Sequence, residues 1–185
     1  MTFLDLLALF FGVLGVLLTI KEALLGWIAG IVSVCIQAYV FFKVRLYGDF
    51  SLQIFYFIAG VYGWSYWNKK NKKEFEITNI SKKNCFFIAI GNIVLCLMLY
   101  PILNHFKTDK IIFECILTSS SLICTYMMTK KWIENWLFWI LIDLGYAYLY
   151  IIKELTAFAI LYLFFSILAL NGYYRWEKKL KRLSY

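Results

Sequence analysis

The sequence predicts an all-α integral membrane protein, with seven transmembrane helices in a 3+1+3 parallel repeat. Three observations predict it. The 185 residues are 63% hydrophobic and only 16% charged, where a soluble domain averages about 45–50% apolar and about 25% charged. Seven apolar stretches recur, at residues 3–19, 24–42, 50–67, 84–104, 111–128, 132–152 and 155–174. Each approaches the roughly 17–25 residues that cross a bilayer as a helix. Finally, residues 20–70 align without a gap on residues 129–179.

A chain this short cannot enclose so much apolar surface, so lipid is the expected solvent for much of it. A segment in lipid must satisfy its own backbone, which leaves helices and closed barrels. The runs are continuously apolar and too long for barrel strands, which alternate with period two. The first stretch lacks a basic leading region and an A-x-A-like cleavage site, so it reads as a span and not as a signal peptide.

The net charge of +8 is read as topology, not as a nucleic-acid surface. With the N-terminus outside, the inner loops hold Lys21, then Lys69, Lys70, Lys72, Lys73, Lys82 and Lys83, then Lys130 and Lys131. The inner tail adds Arg175, Lys178, Lys179, Lys181 and Arg182. Only Lys43, Arg45, Lys107, Lys110 and Lys153 fall outside. Basic residues favour the cytoplasmic side, so the expected orientation is N-out, C-in. Contact of the basic tail with anionic membrane lipid is a second use of the same charge.

Cys35, Cys85, Cys96, Cys115 and Cys124 are scattered, mostly inside spans, with no CxxC pair. They read as small packing residues and not as a disulfide frame or metal site. His105, the only histidine, reads as an ordinary loop residue. No cofactor is expected.

In the repeat, offset by 109 residues, Trp27 falls on Trp136, Tyr39 on Tyr148, Leu52 on Leu161 and Phe55 on Phe164. Gly63 falls on Gly172, Trp67 on Trp176, Lys69 and Lys70 on Lys178 and Lys179, and Asp5 on Glu114. The expected organisation is one membrane domain, 1–185. It comprises a first three-helix repeat (1–70), a linker helix (84–104) and a second three-helix repeat (110–179). One odd helix restores the starting side, so both repeats run parallel. In transporters so built the substrate sits near the midplane between repeats.

Polar groups inside spans are costly and usually functional. Trp136, Trp139, Asp143, Tyr146 and Tyr150 follow a 3, 4, 3, 4 spacing and so share one helix face. Such a face is either aromatic packing around a pore-lining acid or a ligand site. Packing alone gives no reason to bury the carboxylate. A flat cationic heterocycle suits the face, since cation–π contacts contribute about 0.5–2 kcal/mol each. Glu114, Thr118, Ser121 and Thr125 form a second stripe, read either as ligand groups or as helix–helix glue beside a solvated acid. Gln53, Tyr56, Gly60, Gly63 and Trp67 form a third. Gln37, with Gly30 and Ser33, faces one way on the second helix. A buried amide needs a partner, so Gln37 needs a neighbouring helix or a ligand.

The run Glu134-Asn135-Trp136-Leu137-Phe138-Trp139-Ile140-Leu141-Ile142-Asp143 resembles the Pnu family of bacterial vitamin transporters, as do Leu161-Tyr162, Gly172-Tyr173-Tyr174-Arg175-Trp176, Leu52-Gln53-Ile54-Phe55-Tyr56 and Tyr62-Gly63-Trp64. The resemblance covers nearly the whole chain. It implies a SWEET-like fold, a homotrimer, and facilitated diffusion with intracellular phosphorylation as the trap. Family members for nicotinamide riboside carry Asn where this chain has Asp143. The WxxWxxxD form is similar to that of the thiamine members. The expectation is therefore thiamine uptake, with nicotinamide riboside as the alternative. Trp136 and Trp139 would stack on the rings, Asp143 would meet a ring amine or the charge, and Gln53, Tyr56, Gln37, Glu114, Thr118, Ser121, Tyr146 and Tyr150 would shape the cavity.

Other classes fit less well. A membrane enzyme lacks a nucleophile–base pair, and no nucleotide-binding fingerprint, HExxH or GxSxG motif is present. A retinal receptor needs a lysine that residues 155–174 lack. A capture subunit of an energised importer needs a lipid-facing docking stripe, and none is evident.

Overall fold

The computed structural model describes residues 3–45, 47–69, 76–105 and 110–183. Lys70, Lys72, Lys73 and Lys107, which enter the charge asymmetry above, lie outside them. The described chain is helical: α1 (Phe3–Ile20), α2 (Leu25–Lys43), α3 (Tyr47–Lys69), α4 (Lys82–His105), α5 (Ile111–Thr129), α6 (Asn135–Ile152) and α7 (Thr156–Leu183). The seven helices fall where the apolar runs place them. Six are long and apolar enough to cross a membrane. The exception is α3, expected above as one of the seven spans. At 23 residues α3 has the length, but Gln53, Gly60, Gly63, Ser65 and Asn68 dilute its apolar character. At the other extreme α7 runs 28 residues, past the expected end at 174. At about 1.5 Å per residue it exceeds a hydrocarbon core of about 30 Å, so its basic last turns extend beyond the apolar stretch. There Lys181 pairs with Glu177 at 2.9 Å, one turn apart.

The helices form two compact units, residues 1–74 and 75–185. In the first, α1 and α2 meet through small residues. A Cβ on Gly15 would stand 3.1 Å from Gly30 N and 3.2 Å from Gly26 O. Ser33 Oγ donates to Ala8 O at 2.7 Å, and Gln37 Nε2 donates to Ser33 Oγ at 3.1 Å. Lipid is as apolar as a leucine side chain, so close approach and interhelical hydrogen bonds must replace hydrophobic burial as the adhesive. On α3, Gly63 makes room for the Trp27 ring, which a Cβ would overlap. Trp27 in turn meets Trp67 edge-on, centroids 5.6 Å apart.

The second unit holds α4 to α7. Asn92 Nδ2 on α4 donates to Ser120 Oγ on α5 at 3.0 Å. Cys124 Sγ on α5 donates to Asn135 O at the start of α6 at 3.0 Å. Between α6 and α7, Trp136 lies over Gly172, whose Cβ would stand 2.6 Å from ring atoms, and meets Trp176 edge-on at 5.3 Å. The helix corners use left-handed backbone at Glu22, Arg45, Lys131 and Glu154. Much of the apolar surface faces outward, including Leu97, Leu141, Ile160 and Ile167.

The interlock makes Gly172 intolerant of any side chain. Gly172→Ala should destabilise the purified protein by about 1–3 kcal/mol, the range for overpacking a tight contact. It should lower the thermal midpoint in detergent, and Trp136→Phe in the same chain should recover part of the loss. An unchanged midpoint in Gly172→Ala contradicts the interlock.

Candidate functional site

The ligand-type residues of the second unit depend on how α6 begins. Segment 76–81 lies against the α5–α6 corner. Thr78 N donates to Lys131 O at 3.1 Å and Ile133 N to Thr78 O at 3.0 Å. Ile77 is fully buried. Glu134 precedes α6 but does not cap it. Its carboxylate accepts the Ile80 N–H with both oxygens, at 3.1 and 3.0 Å. Asn135 Nδ2 donates to Trp132 O at 2.5 Å. The first residues of the Glu134–Trp136 run thus anchor the helix.

Trp136 is only 2% exposed, because Trp176 and the face of Gly172 enclose it. It was expected to stack on a ligand; in the structure its ring packs against Gly172 and Trp176. One turn on, Trp139 is half-buried, and its indole makes no ring contact or hydrogen bond among the described residues. Asp143 follows four residues later, 5% exposed, with no hydrogen bond or ion pair among the described residues. An unpaired carboxylate at the centre of a span costs about 2.5–3.5 kcal/mol on insertion scales. Asp143 is thus a buried acid with no partner among the described residues, one turn from a half-buried indole.

Beyond Asp143, Tyr146 and Tyr150 stack at 6.2 Å and 22°. Tyr162 of α7 packs on both, at 4.9 and 5.3 Å, and Phe158 stacks on Tyr150 at 5.4 Å. Tyr162 was not among the sequence candidates. Its signal was its place in the repeat, where it falls on Gln53. Tyr146 and Thr118 hydroxyls lie 3.3 Å apart. Ser121 Oγ and Thr125 Oγ1 donate back to Leu117 O and Ser121 O, at 2.8 and 2.9 Å, which serves helix α5 itself. Glu114, read as a ligand group or a solvated acid, pairs with Lys153, whose Nζ lies 2.5 Å from its Oε1.

In the first unit Gln53 is buried at 8% exposure and has no hydrogen bond among the described residues. Tyr56 is half-buried on the same helix, and Gln37 is half-buried and held by Ser33. The structure thus gathers Trp139, Asp143, Tyr146, Tyr150 and Thr118 in one unit and Gln53, Tyr56 and Gln37 in the other. No cluster of acidic, His or Cys side chains suited to a metal ion occurs among the described residues.

Comparison with known proteins gives this arrangement a context. The family described as "Nicotinamide mononucleotide transporter" matches residues 2–178. The nicotinamide riboside transporter PnuC of Escherichia coli (strain K12) is 24% identical over 194 residues, covering 89% of this chain and 81% of the relative. The PnuC of Neisseria mucosa is 19% identical, covering 94% and 71%. A crystal structure of the vitamin B3 transporter PnuC shares the fold at a TM-score of 0.78 and 20% identity, covering 97% of this chain and 82% of that one.

The two indoles of α6 should separate by experiment. Trp136→Ala should cost about 3–5 kcal/mol, as large aromatic truncations do in packed sites, and should lower the thermal midpoint in detergent. Trp139→Ala should move it little. The reverse order of midpoints contradicts the division between packing and ligand roles.

Proposed function

The chain belongs to the nicotinamide mononucleotide transporter family, and from that premise we propose that it carries nicotinamide riboside across the bacterial inner membrane by facilitated diffusion. The observation that carries the reading is the half-buried, unpaired Trp139 one turn from the unpaired, buried Asp143. Nicotinamide riboside presents a flat cationic pyridinium for the indole and ribose hydroxyls for a carboxylate or amide. Its charge would compensate Asp143 in the low dielectric of the span, where like solvation is absent. The names of the relatives favour this substrate over thiamine.

Thiamine is the second reading, and Asp143 is the observation that favours it. Its aminopyrimidine donates hydrogen bonds that a carboxylate accepts, and its thiazolium carries the same charge as the pyridinium.

The rest of the reading concerns architecture. A 3+1+3 repeat with a SWEET-like arrangement is supported by the matched interlocks. Trp27, Gly63 and Trp67 repeat as Trp136, Gly172 and Trp176 with the same edge-on ring geometry. The left-handed corners at Glu22 and Arg45 repeat at Lys131 and Glu154. The N-out, C-in orientation rests on the basic asymmetry of the loops, and the homotrimer on the family resemblance.

Purified protein in vesicles without ion gradients should equilibrate labelled nicotinamide riboside without exceeding the external concentration. Entry of thiamine but not of the riboside would transfer the proposal to the second reading. Accumulation driven by a proton or sodium gradient would refute passive transport. In binding titrations followed by tryptophan fluorescence, Asp143→Asn should weaken thiamine by about ten- to a hundred-fold, the effect of losing a charged hydrogen bond of about 1.5–3 kcal/mol. The riboside should lose less, because an amide still bonds its hydroxyls. Equal losses for both ligands, with a lowered thermal midpoint, mark Asp143 as structural.

A further inference from the structure

The two ends of the second unit are fastened differently. At one end, α4, α5 and α6 are joined by the backbone bonds of Thr78 to the corner and by the double acceptance of Ile80 N–H by Glu134. Buried Ile77 seals this junction. At the opposite end, where α5 begins and α6 finishes, the polar tie between the two helices among the described residues is the Glu114–Lys153 ion pair. The Lys153 side chain is 33% exposed there, and Glu114 13%. One turn inward, the Thr118 and Tyr146 hydroxyls meet at 3.3 Å. Backbone bonds around a buried side chain resist separation, whereas an exposed ion pair contributes only about 0–1 kcal/mol and is weakened by salt.

The geometry points to Glu114 and Lys153 as a gate. Their ion pair latches the ends of α5 and α6 over Thr118 and Tyr146, and its opening admits substrate to the α6 face, with the Glu134 end as the fixed pivot. Glu114 thereby acts on transport without touching the substrate. The gate rests on the transporter reading, but not on which vitamin is carried. Under the N-out orientation it faces outward. Its marginal strength suits the role, because a facilitator must open the latch thermally, with no energy source.

The test uses Thr118→Cys as a reporter below the latch, with the five native cysteines replaced by serine and each protein checked for a monodisperse fold. A water-soluble maleimide should label this cysteine slowly. Lys153→Met or Glu114→Gln should speed labelling by roughly five-fold, the change expected from losing an exposed ion pair. The charge swap Glu114→Lys with Lys153→Glu should slow it again, as should lowering the salt in the unswapped protein. Equal rates in all forms overturn the gate. A second arm places cysteines at 114 and 153 and joins them with a short reversible bis-methanethiosulfonate. Uptake into vesicles should stop, and return on reduction; uptake that continues while the link is intact also overturns the gate. If no form takes up nicotinamide riboside or thiamine, the transport reading fails, while the labelling rates still decide whether the latch exists.

Discussion

The seating of Trp136 in the space left by Gly172 is the contact on which the second unit depends. Helices in lipid gain nothing from burying apolar surface against each other, so their rotation must be set by shape. A ring filling the gap of a missing side chain, closed edge-on by Trp176 at 5.3 Å, leaves α6 a single azimuth. Trp139 and Asp143 lie three and seven residues on, near the same face. Their direction is inherited from that contact. The segment 76–81 fixes the other degree of freedom, the axial position, by holding the residues just before α6 through the backbone of Lys131 and Ile133 and the Glu134 carboxylate.

With rotation and position fixed, unsatisfied polar groups acquire meaning. Most polar side chains of the spans have a protein partner: Ser33 with Ala8, Asn92 with Ser120, Ser121 with its own helix, Glu114 with Lys153. Among the described residues Asp143 and Gln53 are buried without one, and so are the indole N–H groups of Trp27, Trp64 and Trp136. A membrane tolerates an unpartnered acid poorly, and on the proposed reading a cationic ligand supplies what Asp143 lacks. The distinction explains why two carboxylates with similar sequence credentials diverge. Glu114 finds a lysine at its helix end, and Asp143 finds none.

Helix number and approximate bounds were legible in the sequence, because long apolar runs and lipid leave the backbone one solution. The polar limit of α3 was harder to read, since its length matches a span while its Gln and Gly content does not. The α6 face was legible only as a set. A 3, 4, 3, 4 spacing says which residues share a face, but a face wide enough for two indoles can meet a neighbouring helix and a ligand at once. Trp136 packs on the neighbouring helix, and Trp139 is half-buried with no ring contact among the described residues. The repeat held the information that would have divided them. At the 109-residue offset Trp136 and Gly172 fall on Trp27 and Gly63, and Glu114 on Asp5. Trp139, Asp143, Tyr146 and Tyr162 fall instead on Gly30, Val34, Gln37 and Gln53.

The same charge distribution bears on the form of the substrate. The central parts of the spans contain no lysine or arginine, and the acid on the α6 face is unpaired. A nucleoside with one cationic ring would meet Asp143 as a counter-ion. Its phosphorylated form would bring about −1.5 to −2 charges, as a phosphate monoester does near neutral pH, into a path with no basic side chain to receive them. Desolvating those charges beside a carboxylate is prohibitive. On the proposed reading, a passive carrier of this kind needs no internal lock against efflux. Phosphorylation inside the cell converts the permeant cation into an anion that the same face rejects, so the electrostatics that admit the vitamin also make its capture one-way.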